Sequence, residues 1–124
     1  MQQSKSKPII FILSIDTEEE WDWSGAFPQH NADVNNVALL PSFHKHLGAL
    51  GLRPTYLVDY AVADCPTAAS TMREIIAKEN CEIGAHLHPW CNPPYFGPAT
   101  DESSHVVNLP KEHVSQKLNV LMQR

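Results

Sequence analysis

The run Ile9-Ile10-Phe11-Ile12-Leu13-Ser14-Ile15 is almost continuously apolar and β-branched, and it stops at Asp16. A strand without polar alternation is one covered on both faces, the pattern of a parallel sheet. Parallel strands need crossover connections, usually helices. The chain beyond Asp16 alternates accordingly. Leu40, Phe43, Leu47 and Leu50 recur at helical spacing within residues 37–50, and Gly51 supplies a stop. Arg53 to Val58 predicts a second strand. Pro66 opens a second helix in which Met72, Ile75 and Ile76 face inward, with Lys78 in its last turn. Cys81 to His88 predicts a third strand, and Pro110 begins a third helix with the stripe Val114, Leu118, Leu121. Residues 17–36 and 92–109 read as loops. The expected fold is α/β, made of parallel β-α-β-α-β-α units.

A chain of 124 residues holds one domain at most. Three βα units are fewer than half of a closed eight-fold barrel, which takes about 250 residues. The chain stops inside an amphipathic helix at Gln123-Arg124. Two readings stay open at this point: a small open α/β sheet, or the first half of something larger.

Nine basic residues against fourteen acidic ones give a net charge of −5. No basic stripe is available to neutralise phosphates, which argues against nucleic acid or an anionic membrane as partner. The apolar run is too short to span a bilayer. Lys5 and Lys7 before it imitate a secretory leader, but Asp16 and Glu18 to Glu20 follow at once, with no small-residue cleavage site. Cys65, Cys81 and Cys91 show no C-x-x-C spacing, so no disulfide framework is expected and a reducing compartment fits. The expected location is cytoplasmic.

Ligands of parallel α/β sheets bind at the carboxyl ends of the strands. The first strand delivers Asp16 and Glu18 there, the second Asp59, and the third His86 and His88. Residues at i and i+2 of a strand share a side, so Asp16 with Glu18 and His86 with His88 form two claws. Two imidazoles and one carboxylate match the ligand set of an open catalytic divalent-metal site, and the spare carboxylate suits a general base. The plainer alternative makes His88 a satisfied core or loop histidine, and Glu18-Glu19-Glu20 a solvated charge run.

Other residues carry weaker signals. His44 and His46 are two apart on a helix and do not face each other, which predicts a surface position. His105 and His113 are expected to lack partners. Trp21 and Trp23 suit either a sugar ring or apolar packing. Trp90 and Pro93-Pro94-Tyr95-Phe96 suit either a substrate groove or a stiff loop. Neither a Gly-rich phosphate loop nor a G-x-S-x-G elbow is present.

Ile12-Leu13-Ser14-Ile15-Asp16-Thr17-Glu18 resembles the first motif of the polysaccharide deacetylase family, the NodB-homology group of carbohydrate esterases. Glu82-Ile83-Gly84-Ala85-His86-Leu87-His88-Pro89 resembles its second, and Arg53 to Val58 resembles the strand between. The resemblance covers nearly the whole chain. It implies a distorted (β/α)7 barrel, of which residues 1–124 form the N-terminal half, with the C-terminal half absent. It also implies metal-dependent hydrolysis of non-peptide C–N bonds, typically deacetylation of N-acetylated sugars. Asp16 then matches the base. The resemblance further implies that Glu18, His86 and His88 hold a divalent metal, zinc before others.

Two departures stand out. Thr17 separates acids that are adjacent in the family, and Trp90 occupies the place of the second family histidine, so that His88 substitutes. The family's remaining motifs, including the general acid, fall after Arg124, so little turnover is expected from this chain alone. The expected partner is a carbohydrate or small amide substrate. Two rival readings remain: an amidohydrolase-type metal hydrolase, and a catalytically silent carbohydrate- or partner-binding module.

Overall fold

The structure is a computed structural model and describes residues 7–30, 32–78 and 80–124; Lys5 lies outside them. Three short strands, β1 (Ser14–Thr17), β2 (Thr55–Val58) and β3 (Glu82–Ala85), pair in parallel in the order β1-β2-β3. The register sets Ser14 beside Thr55 and Glu82, and Thr17 beside Val58 and Ala85. The helices are α1 (Leu40–Ala49), α2 (Tyr60–Asp64), α3 (Pro66–Ile76), α4 (Asp101–Ser104) and α5 (Lys111–Leu121). Single 3-10 turns precede α1 (Asn35–Leu39) and α5 (Val106–Asn108). The chain is therefore mixed α/β around a three-stranded parallel sheet. Among the described residues, no helix is long and apolar enough to cross a membrane.

One face of the sheet carries the core. Tyr56 and Val58 of β2 pack with Val37, Val62, Ala68, Met72 and Ile75. The other face carries Ser14, Asp16, Thr55, Leu57, Glu82 and Gly84, none of them fully buried. Gly84 marks the closest approach on that face. A Cβ on it would stand 2.8 Å from Cδ2 of Leu57, its register partner.

The first strand is shorter than its composition predicts. Ile9, Ile10, Phe11 and Ile12 lie outside it and are 70–97% exposed. The ladder begins where the Thr55 N–H donates to Leu13 O at 2.9 Å. The pairing with β2 goes no further back than this bond. The third strand is likewise confined to Glu82–Ala85.

The helix faces also differ in detail. In α1, Phe43 and Leu50 are exposed, and His44 with Leu47 is buried instead. In α3 the buried line is Ala68, Met72, Ile75, and Ile76 faces water. In α5, Lys117 and Leu121 are buried while Leu118 is exposed. Gly51, at φ 73°, stops α1 as its position predicts. Helix α2 carries no apolar stripe long enough to show in the sequence. It forms because Asp59, directly after β2, accepts the Val62 N–H on Oδ1 at 2.9 Å and caps it.

Candidate metal centre at the carboxyl edge of the sheet

The hydrogen-bond ladder runs one step past the strands. The Asp59 N–H donates to Thr17 O at 3.1 Å and the His86 N–H to Val58 O at 2.9 Å. Glu18, Asp59 and His86 thus stand in one row across the carboxyl edge. Strand alternation carries on beyond β1. Thr17 and Glu19 point to the buried side, whereas Asp16 and Glu18 point to the open one.

On the open side three ligand atoms converge. Glu18 Oε2 lies 3.0 Å from His86 Nε2 and 3.2 Å from His88 Nε2, and the two imidazole nitrogens are 2.9 Å apart. A tetrahedral ion bonded at about 2.0–2.1 Å sets its ligand atoms about 3.3 Å apart, so this triangle fits one face of such a shell. Two imidazole lone pairs and a carboxylate oxygen at this separation repel unless a proton or cation lies between them.

Behind His88 the structure is sealed. Its Nδ1 meets Glu19 Oε2 at 2.9 Å, and Trp90 Nε1 donates to Glu19 Oε1 at 2.7 Å. The Trp90 ring stacks on the imidazole with centroids 4.3 Å apart. With Nδ1 donating to Glu19, Nε2 is the nitrogen left to face Glu18 and His86. A carboxylate behind a ligating histidine is a common outer-shell arrangement in metal sites. Asp59 is fully buried beside Glu19, and the Cys91 thiol donates to Asp59 Oδ2 at 3.6 Å. Glu19, Asp59, His88 and Cys91 form a second, wholly buried group with ligand atoms within metal-binding distance, sharing His88 with the first.

Burial and hydrogen bonding pull these groups apart in acidity. Burial pushes the Glu19 carboxyl up, but hydrogen bonds from His88, Asp59 and Trp90 outweigh it and hold it at about 2. Burial likewise raises Asp59, Glu19 reinforces the rise, and Asp59 reaches about 7 despite the Val62 N–H. Burial alone would lower His88, yet the hydrogen bond and charge of Glu19, with Glu18 and Asp59 behind, raise it. The Cys91 thiol is driven far up by burial and then by Glu19 and Asp59, which leaves it inert. Below neutral pH Glu19 is therefore the anion of the pair and Asp59 the protonated partner.

Of the residues singled out from sequence, Glu18, His86 and His88 meet. Asp16 does not join the triangle. Its side chain is 60% exposed, and its Oδ1 lies 3.9 Å from Nδ1 of His86, the nitrogen on the other side of that ring. Glu19 and Asp59 complete the centre and were not singled out as its ligands or supports. The charge-run reading of Glu18-Glu19-Glu20 fails, because Glu19 is only 4% exposed and Glu20 Oε1 accepts the Asn36 N–H at 2.6 Å. The signal for Glu19 was available: period two, continued past Thr17, turns it inward.

Two further expectations are corrected. His44 is buried, with Nδ1 3.0 Å from the Tyr56 hydroxyl and Nε2 2.6 Å from Asn80 Oδ1. His113 has a partner, stacking on Phe96 at 3.6 Å between centroids. Of the two readings of the segment after His88, the stiff loop fits its hydrogen bonding. Trp90 and Cys91 are buried, and the Tyr95 hydroxyl donates to Cys91 O at 3.0 Å. The Pro93–Pro94 bond is cis.

Trp21 packs against Trp23, Phe27 and Trp90 at centroid distances of 4.4, 4.9 and 5.2 Å. These rings wall a groove of about 360 Å³, whose other side carries Asp101, Ser104 and His105. All three cysteines are free thiols.

No family model, no curated protein and no solved structure matches this chain.

Proposed function

We propose that this chain carries the metal-binding half of a C–N hydrolase of the polysaccharide deacetylase type, which removes the acetyl group from an N-acetylated sugar. The observation that carries the reading is the convergence of Glu18 Oε2, His86 Nε2 and His88 Nε2 within 2.9–3.2 Å of one another. These three residues hold a divalent ion, zinc by the choice of two imidazoles and one carboxylate. Such an ion supplies a Lewis acid for the amide carbonyl and the attacking water.

The chain's own residues do the rest. Glu19 holds the His88 Nδ1 proton and so keeps Nε2 turned to the centre. Asp16, exposed at the mouth beside His86, takes the proton of the attacking water on its carboxylate. Trp21, Trp23 and Phe27 offer flat apolar faces for the C–H side of a pyranose ring, and Asp101, Ser104 and His105 face its hydroxyls. The accompanying fold reading is the N-terminal half of a distorted (β/α)7 barrel. Its support is the parallel order β1-β2-β3, polar groups gathered at the strand carboxyl ends, and a sheet face without a covering layer.

The test is metal analysis of the purified protein after chelator stripping and reloading with zinc. One equivalent is expected, lost in His86→Ala and His88→Ala. If both variants retain as much zinc as the parent, the site is wrong. A silent carbohydrate-binding module is the second reading, favoured by the exposed Trp23 at the groove. Calorimetry with a chitooligosaccharide separates the two, since binding indifferent to chelator favours the silent module.

A further inference from the structure

Lys117 lies near the middle of α5 and is only 3% exposed. Its ammonium donates to three backbone carbonyls of one loop: Pro89 O at 2.9 Å, Asn92 O at 2.5 Å and Pro94 O at 2.8 Å. An ammonium has three protons, so all of them are used on this loop. The loop answers, because Asn92 Nδ2 donates to Lys117 O at 3.0 Å. Tyr95 and Phe96 place their rings 5.4 and 5.5 Å from Nζ. Burying a cation against neutral carbonyls is costly for stability compared with an apolar residue of similar shape. What the arrangement achieves is position. Pro89 adjoins His88, the Asn92 N–H donates back to His88 O at 3.2 Å, and Trp90 between them stacks on the His88 ring.

We propose that Lys117 is a positioning residue for His88. It clamps the segment from Pro89 to Pro94 onto α5, and thereby holds the imidazole with Nδ1 on Glu19 and Nε2 toward Glu18 and His86. Its effect on metal affinity rests on the metal-site reading above; its effect on the His88 ring does not. A loop free to leave this arrangement presents His88 correctly for only part of the time, and apparent affinity falls by that fraction.

The test compares the parent with Lys117→Met, which keeps the apolar stem but loses the donors, and with Lys117→Arg, whose planar fork cannot place three N–H groups on these three oxygens. His113→Ala, which removes the ring stacked on Phe96 but none of the three hydrogen bonds of the Lys117 ammonium, is the control. Zinc affinity is read by competition with a chromophoric chelator. The His88 Nδ1 proton is read by NMR in metal-free buffer.

Lys117→Met is expected to bind zinc about tenfold more weakly and Lys117→Arg about threefold, with the Nδ1 proton exchanging faster in both. His113→Ala is expected to match the parent on both readings. Zinc affinity within twofold of the parent together with an unchanged Nδ1 proton in Lys117→Met overturns the proposal. If that variant does not fold, the same pair of results in Lys117→Arg overturns it. If the parent takes no zinc but the Nδ1 proton is lost in the variants, the metal reading falls and the clamp on His88 stands.

Discussion

Glu19 and His88 are 69 positions apart in sequence, and their 2.9 Å contact decides which imidazole nitrogen faces the open edge of the sheet. The carboxylate holds the Nδ1 proton, and Nε2 is left facing Glu18 and His86. Replacing Glu19 by Gln keeps the shape but removes the charge. Loss of an outer-shell carboxylate typically costs about 10–100-fold in metal affinity. Zinc competition on Glu19→Gln should show a fall in that range with the stoichiometry unchanged; an affinity equal to the parent's would show that Glu19 has no part in the centre.

Asp59 and Glu19 give the metal-free protein a pH signature. Glu19 is held down at about 2 from an ordinary 4.5, so its contribution is complete above 4.5 and fades as pH falls toward 2. Asp59 is raised to about 7 from 3.8, so its contribution is complete below 3.8 and fades as pH climbs to 7. Asp59→Asn keeps the Oδ1 cap for α2 and does not ionise. Urea denaturation in chelator at pH 4.5 and pH 8 should show the parent losing stability across that interval relative to the variant. Parallel pH curves for the two proteins would contradict the shared-proton arrangement.

Gly84 sits under Leu57, and an added Cβ would come within 2.8 Å of its Cδ2. In Gly84→Ala the end of the half-buried Leu57 side chain must turn aside, a cost of about 0.5–1.5 kcal/mol where it leaves its rotamer. Because Leu57 gives way and β3, which leads into His86, keeps its place, zinc affinity should stay close to the parent's. Denaturation midpoints and zinc competition check the two effects; stability within 0.5 kcal/mol of the parent, the usual range of neutral surface changes, would refute the tight contact.

His44 and His46 lie two positions apart on α1 and should behave oppositely. His44→Ala empties a buried site and strips the partner from the Tyr56 hydroxyl, whose pKa burial, with the nearby Cys81, already pushes to about 12. An unsatisfied buried polar group costs about 1–3 kcal/mol, and the lost packing adds to it. His46 is exposed, and His46→Ala should change stability by less than about 0.5 kcal/mol. Equal effects in thermal melts would mean that α1 does not present His44 to β2.

Trp23 is 71% exposed at the aromatic groove, so Trp23→Ala should leave the melting temperature unchanged. If the groove takes a pyranose ring, chitooligosaccharide binding measured by calorimetry should weaken by about tenfold, the equivalent of about 1.4 kcal/mol. Unchanged binding would place the sugar elsewhere or nowhere.

What was legible in the sequence came from short-range periodicity. The apolar run marked β1 and its stop at Asp16, and period two put Glu18 on the side of Asp16 and His86 on the side of His88. Spacings of three and four marked α1, α3 and α5, and Gly51 marked a stop. These signals are local because backbone geometry repeats every two residues or every 3.6, whatever the rest of the chain does. The apolar run at Ile9–Ile12 shows the limit. Its composition announced a covered strand, but these residues lie outside the ladder and are exposed, because a strand forms only where a neighbour pairs with it and covers it.

Which polar side chains went inside was decided only by tertiary structure. Glu19, His44, Asp59 and Lys117 are all buried, and each is satisfied by groups outside its own strand or helix turn: His88 for Glu19, Tyr56 and Asn80 for His44, Glu19 and α2 for Asp59, three loop carbonyls for Lys117. A polar residue is buried where its lost hydration is replaced by hydrogen bonds. That replacement depends on what the fold sets opposite it, and partners tens of residues away leave no local pattern to read.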